Sequence, residues 1–245
     1  MDLNLTGKAA LVTGGTKGIG RGIALTLARA GANVAVAYRQ DGEAADALAT
    51  ELKELGGDHH VIQADVTQPS EVDNLVAECG TRLGSLDVVV NNAGVISFVP
   101  AEHLPLAEWQ RMIDNNLTAA FLVSQRALPL LGEGASVINI GSAAAFLGMP
   151  MRTHYTAAKA GLIGLTRSMV KELGPRGIRV NVVSPGPVET DDDEEKYAGL
   201  RQGYAPLVPL RRLGHLDDVS GVVLFLASDL SKYVTGANIP VDGGF

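Results

Sequence analysis

The chain has a single cysteine, Cys79, which excludes an intramolecular disulfide framework. Aromatic residues make up 4%, with one tryptophan, so packing must rely on aliphatic and small side chains. Basic residues are outnumbered, with 20 Lys and Arg against 27 Asp and Glu. At a net charge of −7 and without a run of Lys or Arg, a nucleic-acid partner is excluded. No apolar stretch approaches the roughly 18 residues that cross a bilayer, so no membrane partner is expected. Met1–Lys8 lacks a charged-then-apolar leader pattern, and the expected location is cytoplasmic. His59, His60, His103, His154 and His215 are too scattered to suggest a metal set. His154 reads as a surface residue. The acidic run Asp191–Glu195 reads as a solvated helix start, with its acids well placed on the helix dipole, rather than a cation site.

Glycine, by contrast, is plentiful at 29 residues, and hydrophobic residues reach 46%. Short β-type runs alternate with longer helical patterns. The runs are Ala9–Val12, Asn33–Tyr38, His60–Ala64, Leu86–Val90, Ser136–Ile140, Ile178–Val183 and Ala237–Pro240. Helical spacing is predicted over Gly18–Ala30, around Ala45, Leu48, Leu52 and Leu55, and over Ser70–Leu83. It recurs from Leu106 to Phe121, over Thr153–Leu173 and over His215–Ala227. Cys79 shares an apolar stripe with Val72, Leu75, Val76 and Leu83, which marks a core thiol.

Strand–helix alternation implies right-handed βαβ units and a parallel sheet. Val34–Val36, Val61–Ala64, Leu86–Val90 and Val137–Ile140 are short and almost wholly apolar, as strands covered on both faces are. The expected fold is α/β: a single-domain Rossmann fold over residues 1–245, with a doubly wound parallel sheet of about seven strands. Pro185–Gly214, rich in Pro, Gly and charge, interrupts the pattern, and only part of it looks helical.

Two segments carry chemistry. Thr13-Gly14-Gly15-Thr16-Lys17-Gly18-Ile19-Gly20 joins the first strand to the first helix. Glycines there permit a tight turn and close approach of backbone to phosphate, and the helix end beyond offers free N–H groups and a positive dipole. Tyr155 and Lys159 lie four residues apart on a predicted helix and so share a face. A tyrosine ordinarily titrates near 10, and a neighbouring ammonium favours its ionised form.

The order of these and later motifs resembles the short-chain dehydrogenase/reductase family over essentially the whole chain. The motifs are G-x-x-x-G-x-G at Gly14–Gly20, Asn91-Asn92-Ala93-Gly94, Ser142, Tyr155-x-x-x-Lys159, Pro185-Gly186 and Val241-Asp242-Gly243-Gly244. Within that family, the 3-oxoacyl-acyl-carrier-protein reductases are nearest in look. The resemblance implies an oxidoreductase that interconverts a ketone and a secondary alcohol. It implies Tyr155 as acid/base, Ser142 as donor to the carbonyl oxygen and Lys159 bonded to the nicotinamide ribose. Asn116 would support a water relay, with Asn115 competing for that assignment.

The implied cofactor residues are Gly14, Thr16, Lys17, Gly18, Ile19, Gly20, Tyr38, Arg39, Asp65, Val66, Asn91, Ala93, Gly94, Tyr155, Lys159, Pro185, Gly186 and Val188. Tyr38 stands where NAD users carry Asp, followed by Arg39, so NADP(H) is expected over NAD(H). Asp41-Gly42 reads as a turn and helix cap.

Residues 187–212 would form a substrate lid, with Val188, Tyr197, Leu200, Tyr204 and Leu207 on its inner side. Ala143, Phe146, Met149 and Met151 would complete a mostly apolar pocket. Carrier-protein docking needs a basic patch, yet Leu131–Ala135 offers no cation, and Arg126 and Arg176 remain. A free small carbonyl compound is the other substrate class. The resemblance also implies a homotetramer built on the helices near Leu106–Leu131 and Thr153–Leu173. A non-catalytic NADP(H)-binding sensor or scaffold on the same fold is the alternative function.

Overall fold

The computed structural model describes residues 3, 5–190 and 194–245. The reading of Asp191, Asp192 and Asp193 as a solvated helix start therefore lies outside the described residues. Seven parallel strands form one sheet in the order β3-β2-β1-β4-β5-β6-β7. They are β1 (Ala9–Thr13), β2 (Asn33–Tyr38), β3 (His60–Gln63), β4 (Leu86–Asn91), β5 (Leu131–Ile140), β6 (Arg179–Pro185) and β7 (Asn238–Val241). The chain reverses its direction of winding between β1 and β4. Ligands of open α/β sheets bind beyond the carboxyl ends of the strands at such a point.

Strand period two divides the apolar residues between two cores. Leu11, Ala35, Ala37, Val89 and Val137 face one side, against α3 (Pro69–Leu83), α5 (Ala119–Ala127) and α7 (Thr153–Leu173). Val12, Val34, Val36, Val88 and Ile138 face the other, against α1 (Gly18–Arg29), α2 (Gly42–Leu55) and α9 (Leu216–Ala227). Cys79 is fully buried in the first core, and burial pushes its thiol up to about 12. Among the described residues no helix is long and apolar enough to cross a membrane, and no three metal-ligating side chains gather.

Several boundaries differ from expectation. Helix α7 spans Thr153–Leu173, as its spacing predicts. Strand β5 begins at Leu131, because Leu131 pairs with Leu86 before the register shifts. Leu131–Ala135 is thus the irregular start of a strand. The long helix after Leu106 is α4 (Leu106–Ile113), a π turn at Asp114–Thr118, and then α5. A short helix, α6 (Ala144–Leu147), follows Ser142, and α8 (Glu194–Tyr204) lies within the segment read as a lid.

Candidate active site

The end of β1 is tied to the end of β4 by side chains. Thr13 Oγ1 accepts from the backbone N–H groups of Asn92 and Ala93, both at 3.1 Å. The Asn92 amide donates to the carbonyls of Thr13 (3.0 Å) and Gly14 (2.9 Å), which pins the glycine turn. Gly14 has φ +62°, and a Cβ there would lie 2.9 Å from Ala93 Cα. A Cβ on Gly20 would lie 2.3 Å from the Gly14 carbonyl oxygen, so the turn fits only glycine there. Helix α1 opens with no side-chain cap and no acid in its first turn. Its amides are therefore open to an anion, as a dinucleotide pyrophosphate requires.

Two cavities flank this turn. One, of about 140 Å3, is lined by Gly14, Tyr38, Arg39, Asp65, Val66, Ala93, Gly94 and Asn115. Arg39 Nη1 donates to Asn115 Oδ1 at 3.4 Å and lies 3.9 Å from Asp65 Oδ2. Asp65 Oδ1 accepts from the Thr67 amide (3.0 Å) and hydroxyl (2.7 Å), which fixes the loop after β3. Lys17 pairs with Asp41, whose carboxylate also caps α2 by accepting from Ala44 N–H at 3.1 Å. The Lys17 contact first, and then the cap, hold the Asp41 carboxyl below its ordinary range.

The second cavity, a cleft of about 620 Å3, brings together Asn116, Ser142, Tyr155 and Lys159 with Ile19, Gly94, Pro185, Gly186 and Val188. Lys159 is 5% exposed, and its Nζ donates to the Ile140 carbonyl at 2.8 Å. Burial lowers its pKa from 10.5 to about 8. Its Nζ stands 5.8 Å from the centroid of the Tyr155 ring. Burial raises the Tyr155 phenol, while hydrogen bonding with Ser142 and the nearby Arg152 charge lower it. With protein groups alone, the net direction is therefore upward, and Ser142 and Arg152 oppose it rather than Lys159. Ser142 Oγ also accepts from Ala144 N–H at 3.2 Å, which orients the hydroxyl.

Asn116 sits in the π turn, 2% exposed. Single π turns inside helices recur at functional sites. Its amide donates to the carbonyls of Val95 (2.9 Å) and Met112 (3.0 Å), and its buried Oδ1 is unpaired. A Cβ on Gly94 would lie 2.6 Å from Asn116 Oδ1 and 3.5 Å from Lys159 Nζ, so this glycine leaves the space both groups face. Asn115 turns instead toward Arg39 and the first cavity.

Asn91, Thr16 and Gly18 line neither cavity. The Asn91 side chain is buried in the sheet, donating to Ser124 Oγ and Asn139 Oδ1 at 2.8 Å each. Thr16 is buried under the turn, and Gly18 approaches Thr190. His154 is fully buried rather than a surface residue, with its Nε2 2.8 Å from Ser97 Oγ. Ser97 in turn donates to Glu108, which receives two hydrogen bonds from Arg111. A chamber of about 170 Å3 beside Ser142 is lined by Ala143, Met149, Val188, Leu200, Tyr204 and others. Phe146, Met151 and Leu207, expected on its walls, are exposed at 54%, 45% and 64%. Helix α6 and the positive φ of Met151 turn the first two outward. Sequence reasoning passed over Asn92 and Arg152. Asn92 is identifiable only from the backbone carbonyls it binds.

A family model described as enoyl-(acyl carrier protein) reductase matches residues 14–245. A 3-oxoacyl-[acyl-carrier-protein] reductase of Staphylococcus aureus is 43% identical over 97% of each chain. A Synechocystis protein of the same description is 41% identical, over 98% of this chain and 97% of its own. Among solved structures, a dehydrogenase/reductase of Sinorhizobium meliloti superposes with a TM-score of 0.92 at 37% identity, covering 99% of this chain and 96% of its own. A metagenomic blue fluorescent protein, solved in complex with NADPH, gives a TM-score of 0.92 at 40% identity over 99% of both chains. This chain belongs to the short-chain dehydrogenase/reductase family. It is an oxidoreductase acting on the CH–OH and carbonyl couple, and among its relatives it resembles the 3-oxoacyl reductases.

Proposed function

We propose that the chain is an NADP(H)-dependent reductase that interconverts a ketone and a secondary alcohol, with Tyr155 as acid/base. The observation that carries this reading is the convergence of Tyr155, Ser142, Lys159 and Asn116 on one cleft beside the glycine turn. When bound, a nicotinamide would supply or accept the hydride. Tyr155 gives its proton to the carbonyl oxygen, and Ser142 donates a hydrogen bond to the same oxygen, stabilising its developing charge. Lys159 holds the nicotinamide ribose and brings a buried positive charge to the phenol's side of the cleft. Asn116 Oδ1 anchors the proton path that refills Tyr155.

Arg39 takes the 2′-phosphate of NADP(H), supported by its place on the wall of the first cavity beside Tyr38. Lys17 adds charge from the glycine turn. Asp65 accepts from the adenine amino group through the carboxylate oxygen not spent on Thr67. Residues 187–212 act as the substrate lid, with Leu200 and Tyr204 as its inner wall.

A 3-oxoacyl thioester is one substrate class and a free small carbonyl the other. Arg126 is paired with Asp73 at 2.6 Å, and Arg176 donates to the carbonyls of Leu128 and Leu131. Arg126 thus shares its charge with a surface carboxylate while Arg176 keeps its own, so both substrate classes stay open. Assembly into a homotetramer would use the face bearing Leu106 and Phe121, exposed at 79% and 41%, and the open Gly164. Gly161 instead admits Leu117 of the same chain.

The test is a panel of ketones and 3-oxoacyl thioesters supplied with NADPH or NADH and followed by the loss of reduced-nicotinamide absorbance. Turnover with NADPH is expected. Tight NADPH binding with no turnover of any carbonyl would leave the non-catalytic sensor.

A further inference from the structure

Arg152 occupies the residue just before α7, half-buried, and lines both the cleft and the smaller chamber beside Ser142. Its guanidinium lies 4.5 Å from the centroid of the Phe98 ring. Among the described residues it has no hydrogen-bond or ion-pair partner, unlike Arg111, Arg201 and Arg212, each matched to a carboxylate. Among the described residues no acidic side chain lines either cavity, and Lys159, also a cation there, is committed to the Ile140 carbonyl.

A planar fork of donors held over an aromatic ring is pre-organised to take a carboxylate by two parallel hydrogen bonds. Arg152 lines the same cleft as Tyr155 and Ser142, and its charge acts on the Tyr155 phenol. An anion on Arg152 therefore falls close to a carbonyl held by Tyr155 and Ser142. The chamber, about 170 Å3 and lined mostly by apolar residues with the hydroxyls of Ser142 and Tyr204, is well below the roughly 300–1,000 Å3 that buries drug-sized ligands.

We propose that Arg152 is the carboxylate-binding residue of the substrate chamber, and that the substrate is a small ketone or secondary alcohol bearing a carboxylate a few bonds from the reacting carbon. The inference rests on the oxidoreductase reading of the same site, and it names the substrate class. A carboxylate seated there pairs the Arg152 charge, while the rest of the molecule contacts Met149, Val188 and Leu200.

The test compares 3-oxobutanoate with its ethyl ester, using kcat/KM with NADPH, in the wild type and Arg152→Gln. The ratio of carboxylate to ester is expected to fall about thirtyfold in the variant, as loss of charge-assisted hydrogen bonds predicts. A loss equal for both substrates overturns the proposal. A second measurement removes the dependence on turnover: calorimetric titration of butanoate into NADP+-loaded protein. Binding is expected in the wild type and in Tyr155→Phe, and at least about tenfold weaker in Arg152→Gln. Butanoate that fails to bind the wild type, or binds Arg152→Gln equally well, overturns the proposal. If butanoate binding depends on Arg152 and no carbonyl turns over, the anion site stands and the oxidoreductase reading falls.

Discussion

Replacing Lys159 by methionine separates what the buried ammonium does for chemistry from its effect on the fold. Lys159 is 5% exposed, and the fall of its pKa from 10.5 to about 8 is caused by burial. That fall corresponds to about 3 kcal/mol against the charged form. Below about 8 the lysine is protonated in both folded and unfolded chains, so the penalty is fully present. It fades between about 8 and 10.5, above which both states are neutral. Methionine keeps much of the side-chain volume but loses the 2.8 Å charge-assisted hydrogen bond to the Ile140 carbonyl, at about 2 kcal/mol. The variant should therefore be more stable by about 1 kcal/mol at neutral pH, which is a rise in Tm of roughly 2–4 °C for a chain of this size. It should also lose turnover. Thermal unfolding across a pH series, paired with steady-state rates, reads both effects. A Tm at neutral pH no higher than wild type, or a difference that does not shrink toward alkaline pH, refutes the reasoning.

Arg39→Ala is expected to weaken NADPH by at least about tenfold while changing NADH little, measured by fluorescence titration; equal losses place the 2′-phosphate elsewhere. Asp218 receives Arg212 at 2.6 and 2.9 Å and the His215 backbone N–H at 2.7 Å, and these contacts, Arg212 first, lower its pKa from 3.8 to about 2. Its contribution is complete above 3.8 and is lost as pH falls toward 2, so Asp218→Asn should melt lower than wild type at neutral pH, with the gap closing over that acid window. Cys79, buried and pushed up to about 12, should react with a maleimide only as fast as the chain unfolds. Rapid labelling of the native protein contradicts that core position.

The parts legible in the sequence are those with one local cause. Short, nearly continuous apolar runs marked the seven strands, and helical spacing gave Thr153–Leu173 end to end. The glycine turn could be read because Gly14 and Gly20 allow what no side chain would. The role of Asp41 as cap followed from its place before a helical pattern. The remainder depends on partners distant in sequence. The π turn at Asp114–Thr118 carries no composition signal, yet it aims Asn116 at Gly94 and Lys159. Asn91 and Asn92 look alike as a dipeptide, but successive residues face opposite ways, so one bonds Asn139 in the sheet and the other the glycine turn. His154 is buried, and its ring meets Ser97 from a loop far upstream. Arg152 carries no local signal, because what sets it apart is the distant Phe98 ring beneath its guanidinium.

The most direct test of the account is Tyr155→Phe, assayed for NADPH binding and for carbonyl reduction in the same preparation. The substitution removes one hydroxyl and leaves the helix and the buried Lys159 in place. The account predicts NADPH affinity close to wild type with turnover reduced by a factor of at least about a hundred. Turnover retained within a few fold would contradict it, because the proton would then come from another group.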